Sequence, residues 1–279
     1  MISLDQITFV ITTFKSENVI FDCLSELPSV SPKIIIENSG NNILKADLEN
    51  KFQNLECYIM TQNLGYGIAN NIGISKSKTN YIFIINPDTF FSKKNLDLFL
   101  SKIQKENFSI ASVLEHHDKI DNTFYKKDIK EVNYVKGFAM LLNKKNMFGK
   151  YFDENFFLYL EDIDLCLNVK KSGGRIILVN IKIKHLGGRS HGNEEDLEIE
   201  KSRNWHWMWS KFYFSKKNYG FMWAFISTFP NLLNSFIKCV FYLLIFNNKK
   251  MNIYKMRLLG LFNSYLLRKS FFRPYSKNK

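Results

Sequence analysis

Tyr81-Ile-Phe-Ile-Ile-Asn-Pro-Asp88 is a run of five strand-forming residues stopped by a rigid turn. An apolar run of this length, without alternation, is the pattern of a strand buried on both faces. The same pattern stands upstream at Ile7-Thr-Phe-Val-Ile-Thr-Thr13, at Lys33-Ile-Ile-Ile-Glu37 and over residues 56–60. A helix is predicted over 16–27, with Ser16 as its cap and Val19, Ile20, Cys23, Leu24 and Leu27 on one face, and another over 67–76. Downstream, the pattern predicts a helix near 95–104 and a strand near 109–114. A charged loop over 115–136 and a strand over 134–142, interrupted at Gly137, follow. A helix over 161–172 then ends at Gly173-Gly174 and precedes short strands at 175–179 and 182–185. Continuous apolar strands separated by helices imply an α/β fold with a mostly parallel sheet, covered by helices on both faces. Such sheets bind ligands at the C-terminal ends of their strands. Here those ends carry Thr12, Thr13, Glu37, Asn38, Asn63, Asn86 and Asp88, so a polar cleft is predicted along one sheet edge.

The 279 residues suffice for one large α/β domain with an appendage, and 46% hydrophobic residues supply a real core. Four scattered cysteines form no CxxC pair, which fits buried reduced thiols better than a disulfide framework. The N-terminus has no basic region followed by an apolar run, so no signal peptide is expected. The net charge of +13 is unevenly placed. From Lys201 onward there are 15 Lys and Arg and no Asp or Glu; before it, 24 basic residues face all 26 acidic ones. All four tryptophans, Trp205, Trp207, Trp209 and Trp223, lie in that basic part. The reading is therefore a domain over 1–217 and a basic helical tail over 218–279.

In the tail, Leu232, Leu233, Phe236, Ile237, Val240, Phe241 and Leu244 recur at helical spacing, against Asn231, Ser235, Lys238 and Tyr242. Leu258, Leu261, Phe262, Tyr265 and Leu266 repeat the pattern against Arg257, Ser264 and Arg268. Basic amphipathic helices lie on membrane surfaces; packing into the core or into a homo-oligomer interface is the alternative. Pro230, Asn231, Asn234 and Lys238 argue against a membrane-spanning helix. A nucleic-acid partner is disfavoured, because the first 200 residues are nearly neutral and the tail is too apolar.

Four constellations bear on chemistry. Asp88, held by Pro87 past a buried strand, suits a divalent cation bridging to a diphosphate, or is an ordinary Asn-Pro-Asp turn. Glu161-Asp162-Ile-Asp164 opens a helix after the aromatic run Phe156-Phe-Leu-Tyr159. One of these carboxylates is placed for a general base, or the group simply complements the helix dipole. His185, followed by Gly187-Gly188, Arg189 and Ser190, suits a metal or a phosphate, or is a structural histidine. Asn63-Leu-Gly65-Tyr-Gly67-Ile-Ala-Asn70-Asn71-Ile-Gly73 looks like a glycine loop, but Asn70 stands where the dinucleotide fingerprint needs glycine, which weakens a dehydrogenase reading.

Taken in order, Val10-Ile-Thr12-Thr-Phe14, Ile35-Ile-Glu37-Asn-Ser39, the Asn63–Gly73 loop, Asn86-Pro-Asp88, Glu161-Asp162-x-Asp164 and His185-x-Gly-Gly188 resemble family 2 glycosyltransferases of the GT-A fold. Bacterial rhamnosyltransferase-like and galactofuranosyltransferase-like members are the most similar. The resemblance implies that Thr12, Glu37, Asn63, Gly65, Asn70, Asn86 and Asp88 bind a nucleotide-sugar. It implies that Asp88 and His185 hold Mg²⁺ or Mn²⁺, that Asp162 is the catalytic base of an inverting transfer, and that Tyr159, Glu161 and Trp205 face the acceptor. Two positions depart from the pattern: Glu37 replaces the usual Asp, and Asn86 replaces the first Asp of the DxD motif. The expected donor is dTDP-rhamnose, then a UDP-sugar. The expected acceptor is a glycan or lipid-linked glycan, handled by a cytoplasmic enzyme peripheral at the inner face of the cell membrane. A homologue that binds nucleotide-sugar without transferring it is the alternative.

Overall fold

A computed structural model of the chain describes residues 2–118, 128–149, 151–187 and 196–275. By compactness the chain divides into two units: 1–153 with 162–194, and 154–161 with 195–279.

The first unit is a sheet of strands and helices in alternation. Strands β1 (Ile7–Thr13), β2 (Lys33–Glu37), β3 (Leu55–Ile59) and β4 (Tyr81–Ile85) are all parallel, in the spatial order β3-β2-β1-β4. Between them run α1 (Glu17–Ser25), α2 (Asn42–Lys51) and α3 (Tyr66–Lys76). The core is two-sided, as the unbroken apolar runs require. Alternate residues of one strand serve opposite faces: Phe9 and Ile11 pack with Phe83, Phe91 and Phe99, while Val10 packs with Ile34, Ile82 and Ile84. At the close approach of α3 to β1, a Cβ on Gly73 would stand 2.3 Å from a Val10 methyl, so only glycine fits.

Beyond β4 the sheet becomes mixed. β5 (Thr89–Phe90), α4 (Lys93–Ile103), β6 (Ile110–Glu115), β7 (Ile129–Glu131), β8 (Ala139–Asn143), α5 (Glu161–Lys171) and β9 (Ile176–His185) complete the chain order of this unit. β8 lies between β4 and β6, antiparallel to both, so β6 again points the same way as β4. Parallel pairing thus describes the first half, and in the second half only β6 with β9 keeps it, the other described pairs being antiparallel. The two predicted C-terminal strands are one strand, β9, whose register against β6 shifts between Val113 and Leu114. The bulge explains why its sequence pattern breaks at Asn180. α2, which the apolar pattern did not announce, is short and capped by the Asn41 side chain accepting from Leu44 N–H.

The second unit contains α6 (Leu197–Tyr219), α7 (Phe221–Leu244) and α8 (Asn248–Tyr265). Compactness groups α6 with the helices after it, upstream of the division at residue 217 read from the sequence. Met208, Phe212, Ala224 and Leu261 form its core, with Trp205 and Trp209 buried beside them. α8 crosses α6 at Gly260, where a Cβ would lie 2.2 Å from the Trp205 carbonyl oxygen.

α7 is turned inside out. Leu233, Phe236, Ile237, Val240, Phe241 and Leu244 are all at least 40% exposed, whereas Ser235 is buried. The polar stripe faces α8 instead: Tyr242 stacks on Tyr254 at 5.5 Å, and Lys238 lies over the Tyr254 ring. Among the described residues no helix is long and apolar enough to cross a membrane.

Candidate active site

β1, β2 and β4 run parallel, so their polar ends gather at one edge. Glu37 ends β2 fully buried, and its carboxylate accepts from Ser39 N–H, Ser39 Oγ–H and Asn41 N–H, so it shapes the turn after the strand. Asn38 ties that turn to the next loop, donating to the Gly65 carbonyl and accepting from Leu64 N–H. Asn63 accepts from Gly65 N–H at 2.9 Å, and Gly65, at φ +84°, takes the left-handed backbone that opens α3. From β1, Thr12 donates to Asn70 Oδ1, and Asn70 in turn donates to the Tyr66 carbonyl. Asn71 turns the other way and clamps the backbone of Phe152. The sequence-read residues Thr12, Glu37, Asn63, Gly65 and Asn70 thus form one hydrogen-bonded rim.

Next to it, the Asn86-Pro87-Asp88 turn follows β4 and leads into β5, which pairs antiparallel with β9 and sets Thr89 opposite His185. Leu186 N–H donates to the Asp88 carbonyl, which fixes the two segments side by side. His185 Nε2 lies 3.3 Å from Asp88 Oδ1 and 3.4 Å from Asn86 Nδ2. Burial alone would lower the imidazole pKa, but Asp88 and Glu115 outweigh it and hold it above the ordinary value. Beneath the turn, Cys23 points at the Asn86 carbonyl, and burial, reinforced by Asp88, pushes its thiol pKa far up, so it is inert.

Asp88 tests the fit of a cation. Its side chain is fully buried, yet among the described residues neither carboxylate oxygen accepts a hydrogen bond, and the His185 contact has only ion-pair distance. A buried carboxylate in that state is costly unless something positive completes it. One carboxylate and one imidazole suit a Mg²⁺ or Mn²⁺ ion that takes its other ligands from phosphate oxygens. The described residues contain no group of three or more ligating side chains, so the protein alone offers only part of a coordination shell. Gly188, Arg189 and Ser190 lie outside the described residues.

Asp162 sits in the first turn of α5, accepting from Gly137 N–H and from Ile163 N–H at 2.8 Å each. Burial raises its carboxyl pKa, and those two donors hold the rise back. The Gly137 carbonyl accepts from Tyr66 O–H at 2.7 Å, so a single residue links α3 to the carboxylate. A Cβ on Gly137 would meet Asp162 at 3.3 Å. Phe138 continues the link: its carbonyl accepts from Asn86 N–H and its ring stacks under His185 at 4.8 Å. Glu115 accepts from His185 Nδ1 at 2.9 Å, and Lys136 donates to both Glu115 and Asp118 at 2.6 Å.

Sequence reasoning missed Glu115, Lys136, Gly137 and Phe138. The signal was present: Glu115 ends β6, whose C-terminus lies at the same edge as that of β4. Reading 115–136 as a loop hid it.

The three residues assigned to the acceptor belong to the helical unit. Tyr159 stands edge-on to Trp207 at 5.5 Å, and Glu161 is buried. Tyr159 and Leu160 have φ of +71° and +68°, a left-handed pair that costs about 1–3 kcal/mol per residue. Trp205 requires correction. It is 1% exposed, packed against Trp209, Phe271 and Phe272, and so is a core residue with no face for an acceptor. Trp207, at 41% exposure, is the outward-facing neighbour.

Residues 8–166, more than half of the chain, match the sequence profile of Glycosyl transferase family 2. The chain belongs to that family. Over 195 residues this family 2 chain is 22% identical to the low-salt glycan biosynthesis hexosyltransferase Agl10 of Haloferax volcanii, covering 60% of this chain and 62% of that one. It is 21% identical to the rhamnosyltransferase WbbL of Escherichia coli K12, covering 52% and 68%. The aligned part thus spans about three fifths of the first relative's length. Among solved structures, the mannosyltransferase PcManGT of Pyrobaculum calidifontis with GDP-Man and Mn²⁺ superposes with a TM-score of 0.57 at 10% identity, covering 93% of this chain and 86% of that one. S. aureus TarS 1–349 with UDP-GlcNAc gives 0.54 at 11% identity, covering 94% and 92%. The family 2 fold here is GT-A, a mixed α/β sheet with C-terminal helices.

Proposed function

We propose that this glycosyltransferase moves a sugar from a nucleoside-diphosphate donor to a hydroxyl of a glycan or lipid-linked glycan, with inversion at the anomeric carbon. The observation that carries the reading is the buried carboxylate of Asp88, unsatisfied among the described residues, beside His185 at the sheet edge to which the Tyr66–Gly137 link also ties Asp162. Thr12, Glu37, Asn63, Gly65, Asn70 and Asn86 form the nucleoside rim. Asp88 and His185 hold the divalent ion, and a Mg²⁺ or Mn²⁺ bound there supplies positive charge to the departing diphosphate. Asp162 accepts the proton of the acceptor hydroxyl as that oxygen bonds to the anomeric carbon and the bond to the diphosphate breaks. Burial raises its carboxyl pKa, which makes the ionised form a stronger proton acceptor than an ordinary carboxylate. Similarity to a rhamnosyltransferase and a hexosyltransferase supports dTDP-rhamnose first and a UDP-hexose second as donor.

The outward apolar face of α7 supports attachment to an anionic membrane surface, which would place the enzyme peripherally at the cytoplasmic face, close to a lipid-linked acceptor. The core-packing alternative describes the α8 stripe, where Leu261 is buried and Tyr265 packs against it, and Leu232 of α7, but not the rest of the α7 stripe, which faces outward. Fifteen basic and no acidic residues from Lys201 onward favour an anionic surface over a second, equally basic copy.

Nucleoside diphosphate release, measured across a panel of sugar nucleotides with and without Mn²⁺, tests the reaction. Release that depends on Mn²⁺ and on Asp162 supports it, and release unaffected by chelation overturns the metal assignment. Flotation with anionic liposomes tests the surface. The full chain should float, salt should weaken this without abolishing it, and Phe236→Glu with Phe241→Glu should leave the protein in solution. A full chain that ignores anionic liposomes at low salt and dimerises instead makes the face an interface between copies.

A further inference from the structure

A metal-binding imidazole has two nitrogens, and the partner of the one turned away decides how the other is presented. In His185 both ends are occupied: Nε2 faces Asp88 at 3.3 Å, and Nδ1 meets Glu115 Oε1 at 2.9 Å. The ring cannot turn freely, because Phe138 lies beneath it at 4.8 Å and only 14° from parallel. Glu115 is itself fixed. Its second oxygen accepts from Lys136 Nζ, which also donates to Asp118, and Asp118 in turn accepts from the Glu115 backbone N–H at 2.8 Å. This closed set of contacts costs two carboxylates and a lysine their freedom at the end of β6. A simple tether across the 115–136 segment needs only the Lys136–Asp118 pair; the carboxylate aimed at Nδ1 goes beyond it.

We propose that Glu115, braced by Lys136, is a positioning residue: it keeps the proton of His185 on Nδ1 and so presents Nε2, with its lone pair, to a divalent ion shared with Asp88. The inference rests on the metal reading given above and extends it to a residue outside the coordination shell. A carboxylate behind a ligating histidine strengthens metal binding by about 10–100-fold in sites of this kind.

The test titrates Mn²⁺ into the full chain saturated in turn with dTDP and with UDP, following free Mn²⁺ by electron paramagnetic resonance. The spin-echo modulation of the bound ion reports any coordinated imidazole nitrogen. The wild type should bind Mn²⁺ saturably with that nitrogen signature, and Asp88→Ala should abolish binding. Glu115→Ala should weaken Mn²⁺ binding by about 10-fold or more and reduce the nitrogen signature. Glu115→Gln still accepts from Nδ1 and should recover most of both, and Lys136→Met should fall between. Glu115→Ala with unchanged affinity and an unchanged signature, whatever its melting temperature, overturns the positioning role and leaves a tether. Absence of saturable Mn²⁺ binding in the wild type, or equal binding by Asp88→Ala, overturns the metal reading itself.

Discussion

Replacing Asp162 by Asn separates what the carboxylate does for the fold from what it does for the reaction. The two oxygens accept one N–H each, from Gly137 and Ile163. An amide offers one acceptor, so its NH₂ group must face one of those donors, and leaving a buried N–H unpaired costs about 1–3 kcal/mol. The same change removes a charge that burial disfavours, as the raised pKa of Asp162 records, and this offsets part of the cost. The net loss of stability should be about 1 kcal/mol, a fall of a few degrees in melting temperature. Loss of a general base costs about 10²–10⁴-fold in rate, or roughly 3–5 kcal/mol of activation free energy. The rate effect therefore exceeds anything the folding effect can explain. The assay pairs nucleoside diphosphate release in the presence of acceptor with donor affinity by calorimetry. Donor binding should persist while transfer collapses. The wild-type rate should rise with pH through a value above the ordinary carboxylate range, because only the ionised base works, and Asp162→Asn should lose that rise. Turnover within a few-fold of wild type would remove Asp162 from the role and make Glu161 the next residue to test.

Two further outcomes concern the helical unit. Gly260→Ala sets a helix-propensity gain of about 1 kcal/mol against a backbone clash that forces α8 back by roughly an ångström, at about 1–3 kcal/mol or more. The melting temperature should fall, and an unchanged or higher one would refute the close crossing at Trp205. His206 is buried against Phe157, with its ring nitrogens on the Phe272 carbonyl and Ser270 Oγ, and burial drives its pKa down to about 3. The unfolded chain therefore binds a proton that the native unit refuses, so stability present above about pH 6.5 is lost as the pH falls below it. Between about pH 7.5 and about pH 5 the loss should reach about 2 kcal/mol. Thermal melts should show this slope, and His206→Phe should flatten it; identical slopes would clear His206.

The first four strands were legible because burial on both faces writes an unbroken apolar run, as in Ile82–Ile85 and Ile34–Ile36. β8 was legible as a strand but not in direction, since the same run serves either orientation and only its partners, β4 and β6, decide. The polar residues at the ends of β1, β2 and β4 were placed together by strand position, and the parallel pairing gathers them at one edge. Glu115 obeys the same rule but was lost, because the charged residues after it look like loop and the antiparallel β8 separates β6 from β4. Trp205 was assigned to the acceptor from the resemblance, and nothing in its local sequence announces that it is buried. The glycine that admits it to the interior, Gly260, lies 55 residues further on. The stripe on α7 was read correctly as a pattern, but a helical period reports that two faces differ, not which one is turned inward.

The chain leaves the α/β unit after Asp153, spends eight residues in the helical unit, and returns at Asp162. Within those eight, Phe157 is held between His206 and the Arg273 guanidinium, and the Leu158 carbonyl accepts from Ser210. Exchanging the C-terminal helices between relatives by one crossover near residue 196 would therefore part Phe157 from the two side chains that grip it. A working chimera needs two crossovers, the second transplanting residues 154–161. In descent the same bookkeeping ties the two segments together: substitutions at Phe157 should be tolerated only alongside compensating changes near positions 206 and 273, although these lie 49 and 116 residues further on.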